Sequence, residues 1–264
     1  MPHSYLPDHT LTPDELSRYA RDGYVVRESV FTDDELELLR EAIERAANRA
    51  LSLVDQGTTY MLDGKRFVDI NGMTIQFEHA LNSDTPRVIE PVASLDPSLG
   101  ELLQDTRLVD PMRQLVGSDE VAIWTNKLNL KRPREGTGFG WHQDSPYWIH
   151  DCTHVDQLPN VMLAFDTATE NNGCLRVIPG SHLGGCLPGT DDGTSLGGFY
   201  TSTNGFDESQ QTALTVAAGS LIFFSPHIVH GSQPNHSSEP RRAIIVTYQP
   251  AGHPTLKTGE VLNV

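Results

Sequence analysis

Apolar residues recur at helical spacing early in the chain. Leu36, Leu39, Ile43, Ala46 and Ala50 share one face of a segment running to about Leu53. Thr32-Asp33-Asp34-Glu35 opens that segment with a capping box, in which hydroxyl and carboxylate each satisfy a free backbone amide. Thr12-Pro13-Asp14-Glu15 repeats the signature, with proline at the first helical position. Between the two helices, Gly23-Tyr24-Val25-Val26 reads as a short strand. After about residue 105 the pattern changes. Residues 121–130 alternate loosely, and 160–165, 174–178, 220–224 and 243–248 are short apolar runs, most of them bounded by Gly, Pro, Asn or Asp. Many short strands without intervening helices predict a sandwich or barrel rather than a parallel α/β sheet. The expected class is therefore mainly β (α+β), with a helical part at about 12–55 and a strand core at about 105–250. No repeat, low-complexity tract or linker divides the chain, so one domain over 1–264 is expected. Residues 183–211, rich in Gly, Ser, Thr and Asp, are too long for a plain connector and form a candidate lid.

Composition narrows the function classes. Of 264 residues, 38% are hydrophobic and 20% charged, the balance of a globular rather than a disordered chain. Lys and Arg number 19 against 35 Asp and Glu, a net charge of −16, which argues against nucleic acid and against an anionic membrane as partner. No apolar run is long enough to cross a bilayer. The start, MPHSYLPDHTLTPDEL, has neither a basic nor an apolar leader segment, so no secretory signal is expected. Cys152, Cys174 and Cys186 form no disulfide framework and no CxxC pair. A cytoplasmic location is the resulting expectation.

Candidate chemistry gathers in two places. In Gly140-Trp141-His142-Gln143-Asp144 an imidazole and a carboxylate stand two apart, which on an extended segment puts them on one face. A metal shell needs a third ligand, and Phe223-Phe224-Ser225-Pro226-His227-Ile228-Val229-His230-Gly231-Ser232 offers two histidines after an apolar strand. Two His and one carboxylate with open positions form the ligand set of non-heme Fe(II) oxygenases. A second HxD, His154-Val155-Asp156, lies in a polar loop, whereas His142 has Phe139, Trp141, Tyr147 and Trp148 around it. The group His150, Asp151, Cys152 and His154 matches no zinc-ligand spacing and reads as a solvated loop.

Asp22-Gly23-Tyr24-Val25-Val26, the WHQD block, the run from Asn171 to His182 (NNGCLRVIPGSH), and His230-Gly231-Ser232 followed by Arg241 together span about 12–250. In this combination the chain resembles the phytanoyl-CoA dioxygenase family of Fe(II)/2-oxoglutarate-dependent oxygenases. The resemblance implies a double-stranded β-helix (jelly roll, cupin-like) with N-terminal helices packed on it. It implies Fe(II) on His142, Asp144 and His230, with 2-oxoglutarate and O2 as co-substrates. Arg241, eleven residues after His230, matches the family arginine that pairs with the distal carboxylate of 2-oxoglutarate. Arg242 is the neighbouring alternative, and strand alternation lets only one of the two face inward. The alignment also puts Ser232 and Lys127 near that carboxylate and Phe165 against the co-substrate. Lys127 stands where the family can have an apolar residue. Either it touches co-substrate or substrate, or it is an exposed strand lysine.

His227 is expected to be structural, His182 to cap a turn, and His236 to face solvent. Tyr147, Trp148 and Tyr200, with Phe199 and Trp124, are the candidate substrate-pocket residues. A carboxylate at 144, where related halogenases carry a small residue, favours hydroxylation of an unactivated C–H bond in a small molecule, with release of succinate and CO2. The alternatives are desaturation, epimerisation or ring formation by the same cofactor chemistry, a different metal enzyme such as a zinc hydrolase, and a non-catalytic jelly-roll binding protein.

Overall fold

The computed structural model describes residues 9–264; residues 1–8, which carry part of the expectation of no leader, lie outside the described residues. Helix α1 (Pro13–Asp22) begins in the expected capping box and ends at Gly23, whose φ of 84° is the left-handed cap that glycine adopts without strain. Strand β1 (Tyr24–Arg27) follows, and Arg27 Nε lies 2.7 Å from Glu15 Oε1, tying the strand back to the helix. The hydrogen bond from Arg27 holds the Glu15 carboxyl at about 2, against an ordinary 4.5. Stability from this pair is therefore complete above pH 4.5 and is lost as pH falls through about 2. Glu15→Gln is expected to cost about 2 kcal/mol at neutral pH and to flatten the acid limb of the stability profile, read from urea melts.

Helix α2 (Asp33–Ser52) buries Leu36, Leu39, Ile43, Ala46 and Ala50, the predicted face. Next comes a meander: β2 (Thr58–Leu62), β3 (Lys65–Ile70), β4 (Met73–Phe77) and β5 (Pro86–Glu90). Strands thus appear well before residue 105. Asp63-Gly64 and Asn71-Gly72, all four at positive φ, make the two-residue turns that join β2 to β3 and β3 to β4. Helices α3 (Pro97–Leu102) and α4 (Thr106–Val116) follow, the second lying where strands were expected.

The remaining elements are β6 (Val121–Lys131), β7 (Phe139–His142), the single turn α5 (Ser145–Trp148), β8 (Asn160–Ala164) and β9 (Leu175–Val177). They are followed by β10 (Thr212–Leu214), β11 (Leu221–Phe224), β12 (His230–Ser232) and β13 (Arg241–Pro250). Two antiparallel sheets result, ordered β1-β11-β8-β13-β6-β5-β4-β3-β2 and β10-β9-β12-β7.

Alternation along the central strands separates two cores. Val161, Leu163, Leu221, Phe223, Ile244 and Val246 join the apolar cluster that contains the buried faces of α2, α3 and α4. Met162, Ala164, Ile222, Phe224, Ala243 and Ile245 pack with Leu175, Val177 and Leu214 of the small sheet. Burial on both faces is why these strands read as unbroken apolar runs rather than alternating ones.

Candidate metal and co-substrate site

Strand β12 lies between β9 and β7, and His230 is the cross-strand partner of His142. Their ring centroids are 4.1 Å apart. His142 Nδ1 lies 2.7 Å from the Gly140 carbonyl oxygen, and His230 Nδ1 lies 3.0 Å from that of Ile228. A carbonyl can only accept, so each neutral ring places its proton on Nδ1 and leaves the Nε2 lone pair free for a metal. Asp144 arrives by a different route from the one expected. The extended backbone ends at His142, and Asp144 is the helical N-cap of α5, with φ −78° and ψ −31°. The amides of Asp144 and Ser145 donate to the Pro226 carbonyl, at 3.1 and 3.0 Å. That turn, not strand alternation, sets the carboxylate beside the two rings. Ligand atoms of His142, Asp144 and His230 all lie within 4.8 Å of one another, and no other such group occurs among the described residues.

The carboxylate is held at both oxygens. Lys127 Nζ lies 3.1 Å from Oδ1, and Asn160 Nδ2 donates to Oδ2 at 2.9 Å. Thr247 Oγ1 in turn donates to Asn160 Oδ1 at 2.6 Å. Burial raises the Asp144 pKa, but Lys127 and the two imidazoles outweigh it and leave the carboxyl at about 2. Burial also lowers both histidines, so at neutral pH the trio is two neutral imidazoles and one carboxylate, the protonation a divalent cation requires. Lys127 is accordingly not an exposed strand lysine. Burial opposes its charge, yet Asp144 and Glu90 hold its pKa above the ordinary value.

Arg241 opens β13 and is only 3% exposed. Its Nε and Nη1 are buried without a hydrogen-bond partner, although burial draws its pKa down only to about 10 and it stays a cation. It lines one cavity of about 460 Å³ together with the His–Asp–His trio and Ser232. A planar guanidinium with unused donors beside an open metal-ligand set fits a chelating keto acid with a second carboxylate. Arg242 points the other way, with Nη2 2.8 Å from Asp166 Oδ1 and Nη1 3.0 Å from Glu44 Oε1. Of the two neighbours it is thus Arg241, the one picked by its spacing from His230, that lines the cavity.

Two expectations need correction. Phe165 does not reach the co-substrate space: it is fully buried in the helix-side core with Val161 and Leu163, whereas Met162 lines the cavity. Trp124 does not line the cavity either. It packs edge-on against Trp148, with centroids 6.4 Å apart, and against His154. Tyr147, Trp148, Phe199 and Tyr200 do line it. Phe199 stacks on Tyr147 at 4.5 Å, and Tyr200 forms a lone β-bridge with His142. Segment 183–211 thus supplies part of the cavity wall, tied to the β2–β3 turn by Asp63, which accepts from the amides of Ser195 and Leu196.

His227, His182 and His154 make contacts away from the trio, and His236 faces solvent as expected. His227 bridges Ser145 Oγ and Asp156 Oδ1, His182 contacts the Ala20 carbonyl, and His154 contacts Gln249. Among the cavity residues missed in the sequence, Lys65, Arg87 and Glu90 come from the unread meander.

A family model described as phytanoyl-CoA dioxygenase (PhyH) matches residues 19–243. The chain belongs to the phytanoyl-CoA dioxygenase family. Ectoine dioxygenase from Bordetella bronchiseptica is 28% identical over 251 residues, covering 90% of this chain and 75% of that protein. L-proline trans-4-hydroxylase from Streptomyces griseoviridis is 25% identical over 248 residues, covering 88% and 84%. Among solved structures, EctD from S. alaskensis with 2-oxoglutarate and 5-hydroxyectoine has a TM-score of 0.69 at 25% identity, covering 98% of this chain and 83% of that one. The carbocyclase SnoK from nogalamycin biosynthesis shares the fold, with a TM-score of 0.65 at 17% identity over 91% and 85% of the two chains. The expected jelly roll is therefore the fold, and this family member is an Fe(II)- and 2-oxoglutarate-dependent dioxygenase. No helix among the described residues is long and apolar enough to cross a membrane.

Proposed function

We propose that this dioxygenase hydroxylates an unactivated C–H bond of a small molecule. His142, Asp144 and His230 hold Fe(II), and Arg241 with Ser232 binds the distal carboxylate of 2-oxoglutarate. The observation that carries this reading is the buried Arg241 guanidinium, with Nε and Nη1 unpaired in the cavity of the trio. Leaving such donors unsatisfied is costly unless a ligand satisfies them.

When bound, iron with 2-oxoglutarate and O2 supplies the oxidising power, with succinate and CO2 as by-products. The chain does the rest. Lys127 and Asn160 fix the Asp144 carboxylate, and the two backbone carbonyls fix the imidazole tautomers. Tyr147, Trp148 and Tyr200 wall the substrate side and exclude water. Relatives named for ectoine and L-proline support a small metabolite as substrate. One domain over 1–264 is supported by the larger apolar cluster, which joins Leu11 to Tyr248, and a cytoplasmic location by three free cysteines.

The test is anaerobic addition of Fe(II) and 2-oxoglutarate. The weak visible charge-transfer band of the chelate is expected, and no band at saturating concentrations of both overturns the assignment.

A further inference from the structure

The chain carries a net charge of −16, yet its cavity is lined by Lys65, Arg87 and Lys257 in addition to Lys127 and Arg241. Arg87 stands out among these cations. Between β4 and β5 the register places Gln76 opposite Val88 and Phe77 opposite Pro86, so Arg87 is the extra residue of a β-bulge. Bulges re-aim a side chain, and here the guanidinium lies 3.6 Å over the Phe139 ring, inside the cavity lining. Arg87 is 7% exposed and makes one hydrogen bond, from Nη2 to the Gly138 carbonyl at 2.6 Å. Its Nε is buried and has no partner. The Glu78 carboxylate is the counter-charge it feels most, but the two form no ion pair, and Glu78 Oε2 is taken by the Thr137 amide and hydroxyl. Also in the cavity lining, Lys65 Nζ donates at 3.0 Å to the hydroxyl of Tyr200, the residue that bridges His142.

These groups are not used by the reaction as described. 2-Oxoglutarate has one distal carboxylate, and Arg241 takes it. Lys127 is committed to Asp144. A second buried guanidinium with a free donor, lining the cavity together with Tyr147 and Tyr200, calls for a second anion. An acidic protein repels anions at long range, so a substrate anion needs local cations of this kind to enter.

We propose that Arg87, with Lys65 and the Tyr200 hydroxyl, binds an anionic group of the substrate, a carboxylate or a phosphonate. The substrate of this dioxygenase is then a small organic anion held by its charged end, with a C–H bond turned toward the trio. The inference rests on the oxygenase reading in one respect: 2-oxoglutarate must occupy Arg241.

Calorimetric titration of the anaerobic enzyme, loaded with Fe(II) and saturating 2-oxoglutarate, tests it with hexanoate, butylphosphonate and hexanamide. At least one anion is expected to bind at least about tenfold more tightly than the neutral amide. The preference between hexanoate and butylphosphonate identifies the group. Arg87→Gln and Lys65→Gln are each expected to weaken anion binding at least about tenfold, while 2-oxoglutarate affinity, read from the visible band, stays unchanged. Arg87→Lys, which keeps the charge but not the planar fork, recovers part of the binding that Arg87→Gln loses and so separates loss of the subsite from loss of the fold.

Equal affinity for amide and anion overturns the proposal, as does the absence of anion binding. Undiminished anion binding in Arg87→Gln also overturns it and leaves Arg87 as a counter-charge for Glu78 alone. A parallel loss of 2-oxoglutarate affinity in Arg87→Gln assigns Arg87 to the co-substrate instead. Anion binding without a visible band strikes the oxygenase reading; the subsite then stands if Arg87→Gln weakens that binding and falls if only Arg241→Ala does.

Discussion

Asp144→Ala is expected to abolish succinate formation. The fall should exceed the roughly 10–100-fold seen when a metal ligand loses only its hydrogen-bond partner. Asp144 is the one anion of the trio, so its removal leaves two neutral imidazoles with nothing to balance a divalent charge. The same change strands the Lys127 ammonium, which lies 3.1 Å from the carboxylate and would then face an incoming cation unshielded. Two effects thus act in one direction: a lost ligand and a gained repulsion.

Asp144→Asn separates them from shape, since it keeps the volume and removes the charge. The measurements are iron content after anaerobic loading and succinate formed in a single turnover. Unchanged turnover in Asp144→Ala would hand the metal to the other HxD. That pair is poorly placed for it, because His154 contacts Gln249 while Asp156 contacts His227.

Metal chemistry limits the residue types enough to point to two short segments, but the family resemblance was needed to choose His230 over His227, and the backbone turn that brings Asp144 round was not legible. The carboxylate approaches through a turn held by the Pro226 carbonyl, a contact more than eighty residues away in the chain. Arg241 was picked over Arg242 by its spacing of eleven residues from His230, which matches the family, and the period of two of a strand puts its neighbour on the other face. Phe165 failed for a related reason. The run 161–165, on and just past β8, is buried on both faces, so it carries no polar residue to mark which of its positions face the cavity.

The meander over residues 58–90 was missed despite a local signal. Asp63-Gly64 and Asn71-Gly72 are two-residue hairpin turns, written plainly in the chain. Arg87 is different in kind. Its direction comes from a register break against β4, which no window of neighbouring residues encodes.

Arg241→Ala is expected to raise the KM for 2-oxoglutarate by about 100-fold, the worth of losing a bidentate charge-assisted pair. kcat at saturating co-substrate should fall much less, because the distal carboxylate is remote from the reacting bond. Arg241→Lys should recover only part of the loss, since an ammonium is a point charge and lacks the planar fork. Arg242→Ala should leave the KM unchanged, its guanidinium being engaged with Asp166 and Glu44 on the helix side. If Arg242→Ala alone raised the KM, the register of β13 would be wrong by one residue.

Stability gives a second, independent reading of the same substitution. Without co-substrate, Arg241 is a buried cation with two unsatisfied donors, a burden on the folded state. Arg241→Ala should therefore leave the Tm of the co-substrate-free protein unchanged or raise it, while 2-oxoglutarate stabilises the parent protein and no longer stabilises the variant. A large fall in Tm without co-substrate would mean that Arg241 supports the jelly roll itself, and the unpaired guanidinium would then be no evidence for a waiting ligand.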